Sequence, residues 1–190
     1  MLKQDSSGYL AGQFLIAMPQ MRDPRFERTV VYLCAHSPEG AMGIVINRNF
    51  EDLTFPELLE QLEIAPGDDT REIRVQFGGP VEGGRGFVLH STDYMHESSM
   101  VVDDGVALTA TVDVLKAISE GTGPKQHLLA LGYAGWGAGQ LDHEIRENAW
   151  LNGPADRDIL FDGDLDRKWE RAIHKLGIDF TALSAEVGHA

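Results

Sequence analysis

One cysteine, Cys34, is the whole thiol inventory of this 190-residue chain, so no intramolecular disulfide can form. Basic residues are also scarce: 16 Lys and Arg stand against 30 Asp and Glu, a formal charge of −14. Such a surface repels phosphate backbones and anionic lipid unless a local basic patch overrides it. Arg22, Arg25 and Arg28 come nearest to a patch, but Asp23 and Glu27 lie among them, the mixed-sign pattern of a solvated face. Direct nucleic-acid binding is therefore disfavoured. The chain lacks the roughly 20 consecutive apolar residues that a membrane helix needs, and the apolar segment Phe14 to Met18 is too short for a signal-peptide core. A soluble, cytoplasmic protein without membrane contacts is expected. Cys34 falls inside the apolar run Thr29 to Ala35, which reads as a buried, inert thiol in a reducing compartment.

With 43% hydrophobic residues, a chain of this length can bury roughly 70% of its unfolded surface around one core, and one domain over residues 1–190 is expected. Residues 13–18, 29–36 and 43–47 read as strands. Asp23-Pro24 suits a single helical turn between the first two. Thr54-Phe55-Pro56-Glu57 has capping-box spacing, and Phe55, Leu58, Leu59 and Leu62 then recur on one helical face. Residues 73–77 and 86–90 read as strands flanking a glycine-rich link, Gly78 to Gly84. Asp103-Asp104-Gly105 marks a hairpin between 100–102 and 106–109, because Asp and Gly tolerate the positive φ of its turn. Thr111 opens a helix that Gly121 and Gly123-Pro124 stop. Leu141, Ile145 and Ala149 step down another helix, closed by Asn152-Gly153-Pro154. Residues 159–161 read as a closing strand. A last helix opens at Asp164 as cap, buries Leu165, Trp169, Ala172, Ile173 and Leu176, and ends at Gly177. The order predicts an α/β (α+β) fold, a mixed, mostly antiparallel sheet with three to four flanking helices.

The segment His127 to Leu141 reads as strand, glycine loop and helix. Glycine lets backbone N–H groups approach a partner, and a helix start offers free donors, so the loop can bind an anion or serve as tight packing around Trp136. It lacks dinucleotide spacing and a Lys-Ser/Thr pair. Gln140 and the Trp136 indole would be its polar handles. Candidate ligand-binding residues are Asn47, Gly78, Gly79, His90, Gly135, Trp136, Gly137 and Gln140. His143-Glu144-Ile145-Arg146-Glu147 begins like a zinc-protease helix but has Glu147 at the second ligand position. Asp162, Asp164 and Asp166 open like a calcium loop but meet Arg167 and Ile173 where glycine and glutamate are needed. The histidines, at 36, 90, 96, 127, 143, 174 and 189, show no short ligand spacing. His36 and His90 end apolar strands and are the candidates for a shared metal site. No Gly-x-Ser-x-Gly elbow exposes a serine. No catalytic residue and no cofactor is assigned.

Several motifs, in order along most of the chain, resemble the YqgE/AlgH family of small bacterial proteins. They are Leu15-Ile16-Ala17-Met18-Pro19 with Met21, Asp23-Pro24-x-Phe26-x-Arg28-Thr29-Val30, and Gly40-x-Met42-Gly43-x-x-x-Asn47. Further on come Gly78-Gly79-Pro80-Val81, Gly86-Phe87-Val88-Leu89-His90, and Leu131-Gly132-Tyr133-Ala134-Gly135-Trp136-Gly137-x-Gly139-Gln140-Leu141 with Glu144 and Trp150-Leu151. Gly188-His189-Ala190 closes the set. Asp142 replaces the glutamate usual after Gln-Leu. The resemblance implies a largely antiparallel, partly barrel-like sheet and a transcriptional-regulator role linked to exopolysaccharide control. It brings no catalytic residues, cofactor or DNA-binding motif; Asp23 and Arg28 enter as motif positions of surface or structural type. The leading expectation is a non-enzymatic regulator acting through an unknown protein partner or small ligand, with oligomeric state unspecified. The alternatives are a metal-dependent or small-anion-binding enzyme using the glycine loop with His36 and His90, a direct DNA-binding regulator, and a structural scaffold.

Overall fold

A computed structural model of the chain describes residues 9–67 and 70–178. The terminal motif 188–190, with His189, lies outside them. The strands are β1 (Gln13–Ala17), β2 (Val30–Ser37), β3 (Gly40–Val45), β4 (Val75–Phe77), β5 (Val81–Ser91), β6 (Met100–Asp103), β7 (Val106–Thr109), β8 (His127–Trp136) and β9 (Trp150–Pro154). The helices are α1 (Phe55–Gln61), α2 (Val112–Glu120), α3 (Gln140–Arg146), α4 (Arg157–Leu160) and α5 (Lys168–Lys175). The strands form one curled, half-barrel sheet in the order β6-β7-β5-β8-β3-β2-β1-β9, with β4 added beside β8. Every pairing is antiparallel except β4 with β8. This is the expected mixed, mostly antiparallel α+β architecture.

Alternation along the strands builds two covered faces. On one, Phe14, Ile16, Val30, Tyr32, Ile44, Leu128 and Ala130 pack against Ile159 and Leu160 of α4 and Trp169, Ala172 and Ile173 of α5. The opposite face carries two clusters. Leu15, Val31, Leu33, Trp136 and Trp150 meet Leu141 of α3, while Val75, Val88, Leu129 and Leu131 meet α1 and α2. Cys34 is buried in the first face, and burial pushes its thiol well above the ordinary range, as its apolar run predicts.

Local signals explain most elements. Thr54 accepts a hydrogen bond from Glu57 N–H and caps α1. Gly121, at φ +80°, ends α2 in the left-handed region, and Gly105 turns the β6–β7 hairpin at φ +77°. Five readings need correction. The link Gly78 to Gly84 is largely strand, because β5 begins at Val81. Residues 132–136 continue β8, so the glycine loop shrinks to Gly137–Gly139. Residues 159–161 do not form a strand: Asp156 caps the helical turn α4 there by accepting from the Asp158 and Ile159 N–H groups. That turn takes the α-helix count among the described residues to five. Asn152-Gly153-Pro154 does not close a helix; α3 ends at Arg146 and those residues form β9. Asp164 precedes a 3-10 turn, Leu165–Arg167, without a side-chain capping bond.

Candidate functional site

Gly132, at φ +77°, shifts the pleat of β8. Leu129 and Leu131 before it share a sheet face with Ala134 and Trp136 after it, so the alternation slips by one residue there, where the pairing with β5 also breaks register between Val81 and Gly86. Opposite it, a side chain at Gly78 would strike the Gly132 carbonyl, and one at Gly79 would strike the Tyr133 backbone. The Gly78 N–H donates to Leu131 O at 2.8 Å, and its carbonyl accepts from Val45 N–H at 2.8 Å. These glycines let three backbone segments lie in contact.

The polar handles beyond the bend are engaged internally. Trp136 Nε1 and Trp150 Nε1 both donate to Glu144 Oε1, at 3.1 and 2.9 Å. Gln140 Nε2 donates to Glu144 Oε2 at 2.8 Å, and Gln140 Oε1 accepts from Gly137 N–H at 3.0 Å. Phe26 stacks on Trp136 and meets Trp150 edge-on. Glu144 is thus the hub of a brace joining β8, α3 and β9. Gly135 and Trp136 also line an open depression of about 680 Å3 with Tyr133, Phe87 and Arg85.

Asn47 fastens two segments. Its Oδ1 accepts from Val30 N–H and its Nδ2 donates to Arg28 O, both at 2.9 Å. Asp23 and Arg28 do not pair. Asp23 binds Arg25 at 2.7 Å, and that hydrogen bond holds its carboxyl below the usual range. Arg28 lies over the Trp169 ring at 4.2 Å and reaches Glu170 at 3.3 Å.

His36 and His90 do not converge. His36 pairs across to Ala41, which faces Trp136, whereas His90 faces His127. Trp136 and His127 are the two ends of β8, about 30 Å apart at ~3.3 Å per residue. His36 Nδ1 accepts from Leu10 N–H at 3.0 Å, and its Nε2 lies 3.4 Å from Asp142 Oδ1. His90 is fully buried, and its Nδ1 must donate to the Ser91 carbonyl at 2.9 Å. Its Nε2 then accepts from Thr109 Oγ1 at 2.6 Å. Burial holds the pKa of both His90 and His127 below the ordinary value. Among the described residues no group of three His, Cys, Asp or Glu side chains is placed to hold a metal.

Two residues not marked as candidates by the sequence reading stand out. Gln76 is only 7% exposed, and its Oε1 has no hydrogen-bond partner among the described residues. It lines a cavity of about 470 Å3 between the end of α2, the start of β8 and the segment after α4. Glu72, Arg74, His127 and Asp162 add both signs of charge and a neutral imidazole to the lining. Arg74 is steered by a bond to Gly163 O at 3.0 Å. Lys168 has no exposed surface and donates to Ile46 O at 3.0 Å and Leu160 O at 2.7 Å. Burial pushes its ammonium down to about 7. Its signal was present: Lys168 falls three residues after Leu165 and four before Ala172, on the buried stripe of the last helix.

Comparison with known proteins matches residues 14–181 to the AlgH-like family. The chain is 57% identical to a UPF0301 protein of Rhodospirillum rubrum over 189 residues, covering 100% of this chain and 98% of the relative. It is 54% identical to a UPF0301 protein of Rhodopseudomonas palustris strain HaA2, covering 98% and 89%. The solution structure of the AlgH protein from Pseudomonas aeruginosa superposes with a TM-score of 0.80 at 46% identity, covering 100% of both chains. A crystal structure of a Corynebacterium diphtheriae protein shares the fold at a TM-score of 0.75 and 17% identity, covering 97% and 94%.

Proposed function

The chain belongs to the AlgH-like family, and on that premise we propose that it is a non-enzymatic, cytoplasmic regulator that binds a small polar molecule and acts on a protein partner. The observation that carries the ligand part is the unpartnered Gln76 Oε1 in the wall of the 470 Å3 cavity. An unmade hydrogen bond at a buried amide costs about 1–3 kcal/mol, which a ligand donor would recover. The lining carries both signs, Arg74 beside Glu72 and Asp162, the last also paired with Arg171, and this suits a molecule carrying both charges, such as an amino acid. A partner protein fits the −14 charge better than DNA does. No helix among the described residues is long and apolar enough to cross a membrane.

Thermal-shift titration with the twenty amino acids and the common nucleosides tests the reading. One compound at a hundredfold excess over its Kd is expected to raise the Tm of the wild type by about 5 °C and to leave Gln76→Leu unmoved. An identical shift in both proteins removes Gln76 from the site. Absence of any shift, with native mass spectra showing only the bare chain, removes the small-ligand reading.

A further inference from the structure

A second buried polar atom lies away from the Gln76 cavity. Tyr32, the third residue of β2, is 0% exposed, and its hydroxyl has no hydrogen-bond partner among the described residues. The side chain lines a separate cavity of about 360 Å3 under the β6–β7 turn, bounded by the start of α4 and the end of α5. Acidic side chains dominate the polar lining. Asp156 is already committed, with one oxygen capping α4 and the other holding Lys175. Arg157 likewise turns to Gln126 Oε1 at 3.2 Å. Asp103, Asp104 and Asp158 remain, and no ion pair or side-chain hydrogen bond among the described residues engages their carboxylates. Val106, Ala155 and Leu160 supply apolar wall between them.

Each feature narrows the ligand. An anion would face three unneutralised carboxylates, and the buried phenol beside Asp103, kept neutral by burial, brings no positive charge to offset them. A single metal ion needs ligands converging within about 2–2.6 Å of one point, and no group of three acidic, His or Cys side chains among the described residues is so placed. Carboxylates spread around an apolar wall instead match positive charges separated by methylenes. A phenolic oxygen at the inner end accepts an ammonium N–H. We infer that this cavity binds an aliphatic diamine or polyamine, with one ammonium on the Tyr32 hydroxyl and the others on Asp103, Asp104 and Asp158. The site is independent of the Gln76 cavity, so either can fail without the other.

Isothermal titration of the full chain with putrescine and spermidine, at constant ionic strength set by NaCl, tests this. Saturable one-to-one binding is expected for the wild type. The double variant Asp103→Asn/Asp104→Asn keeps a turn-competent Asn-Gly pair and is expected to bind at least about tenfold more weakly, the scale of lost hydrogen bonds to charged groups. Tyr32→Phe is expected to fold and to bind about tenfold more weakly; if it fails to fold, the Asp103/Asp104 variant decides alone. Spermidine affinity unchanged in the double variant, no saturable heat in the wild type, or the same heat from MgCl2 at equal ionic strength would each overturn the inference.

Discussion

Glu144 and Gln76 are both polar side chains set against apolar walls, and the structure treats them oppositely. Glu144 receives the N–H groups of two indoles and the amide of Gln140. Gln76 leaves its amide oxygen unpaired beside a cavity. Around Glu144 a dense motif of glycine and tryptophan is explained by construction, because its groups satisfy one another. Gln76 itself belongs to no motif, yet a group capable of recognition is left over. A conspicuous sequence and an available chemistry are thus different things in this fold.

Variants can sharpen that contrast. The largest expected effect is at Gly79, whose φ of +152° and contact with the Tyr133 backbone leave no room for a side chain. Gly79→Ala should lose about 4 kcal/mol in urea unfolding, or fail to fold, as overpacking and backbone strain combine. Wild-type stability equal to that of the variant would deny close backbone packing as the reason for the glycine.

Lys168 comes next. Its pKa is about 7 in the fold against an ordinary 10.5, so between these values the unfolded chain binds more protons and stability rises with pH. Below about pH 7 the buried ammonium carries its full cost. From about pH 7 to pH 10 the wild type should gain on the order of 3 kcal/mol relative to Lys168→Met. Parallel pH profiles would place Lys168 in a solvated environment.

A smaller effect lies on the acid side. His90 and His127 have depressed pKa values, so they destabilise nothing above about pH 6.5. Stability should fall as pH drops from there through their folded values. His127→Gln should flatten that limb in a pH series of unfolding curves; an unaltered limb would assign the loss to other groups.

Where local chemistry dictates geometry, the elements were legible. The Asp-Asp-Gly hairpin, the Thr54 cap and the Gly121 stop each stand where the residues demand. Legibility failed where tertiary contact reverses a local meaning. Gly132 and Gly135 read as loop but lie inside β8, where Gly132 takes a positive φ and lets the Gly79 backbone approach closely. Asn152-Gly153-Pro154 reads as a breaker, yet among the described residues β9 is the outermost strand beside β1, where a terminal proline has no second neighbour to serve. Residues 159–161 are apolar enough for a strand, but the Asp156 cap turns them into the end and C-cap of α4. Of the candidate site, Asn47, Trp136 and Gln140 were legible as unusual residues, although their partners were not. Gln76 was hidden by its alternation with Arg74, which resembles a solvent-facing pair. Only the parallel pairing of β4 with β8, and helices on both faces, buries it.

The central claim is that the Glu144 brace holds the fold while the Gln76 amide does not. Equilibrium urea unfolding of the wild type, Glu144→Ala and Gln76→Leu, all without added ligand, tests it directly. Glu144→Ala should lose about 2 kcal/mol because two indole donors are left unpaired, whereas Gln76→Leu should equal the wild type or exceed it by up to about 1 kcal/mol. A Gln76→Leu protein destabilised as much as Glu144→Ala, or a Glu144→Ala protein as stable as the wild type, would contradict the account.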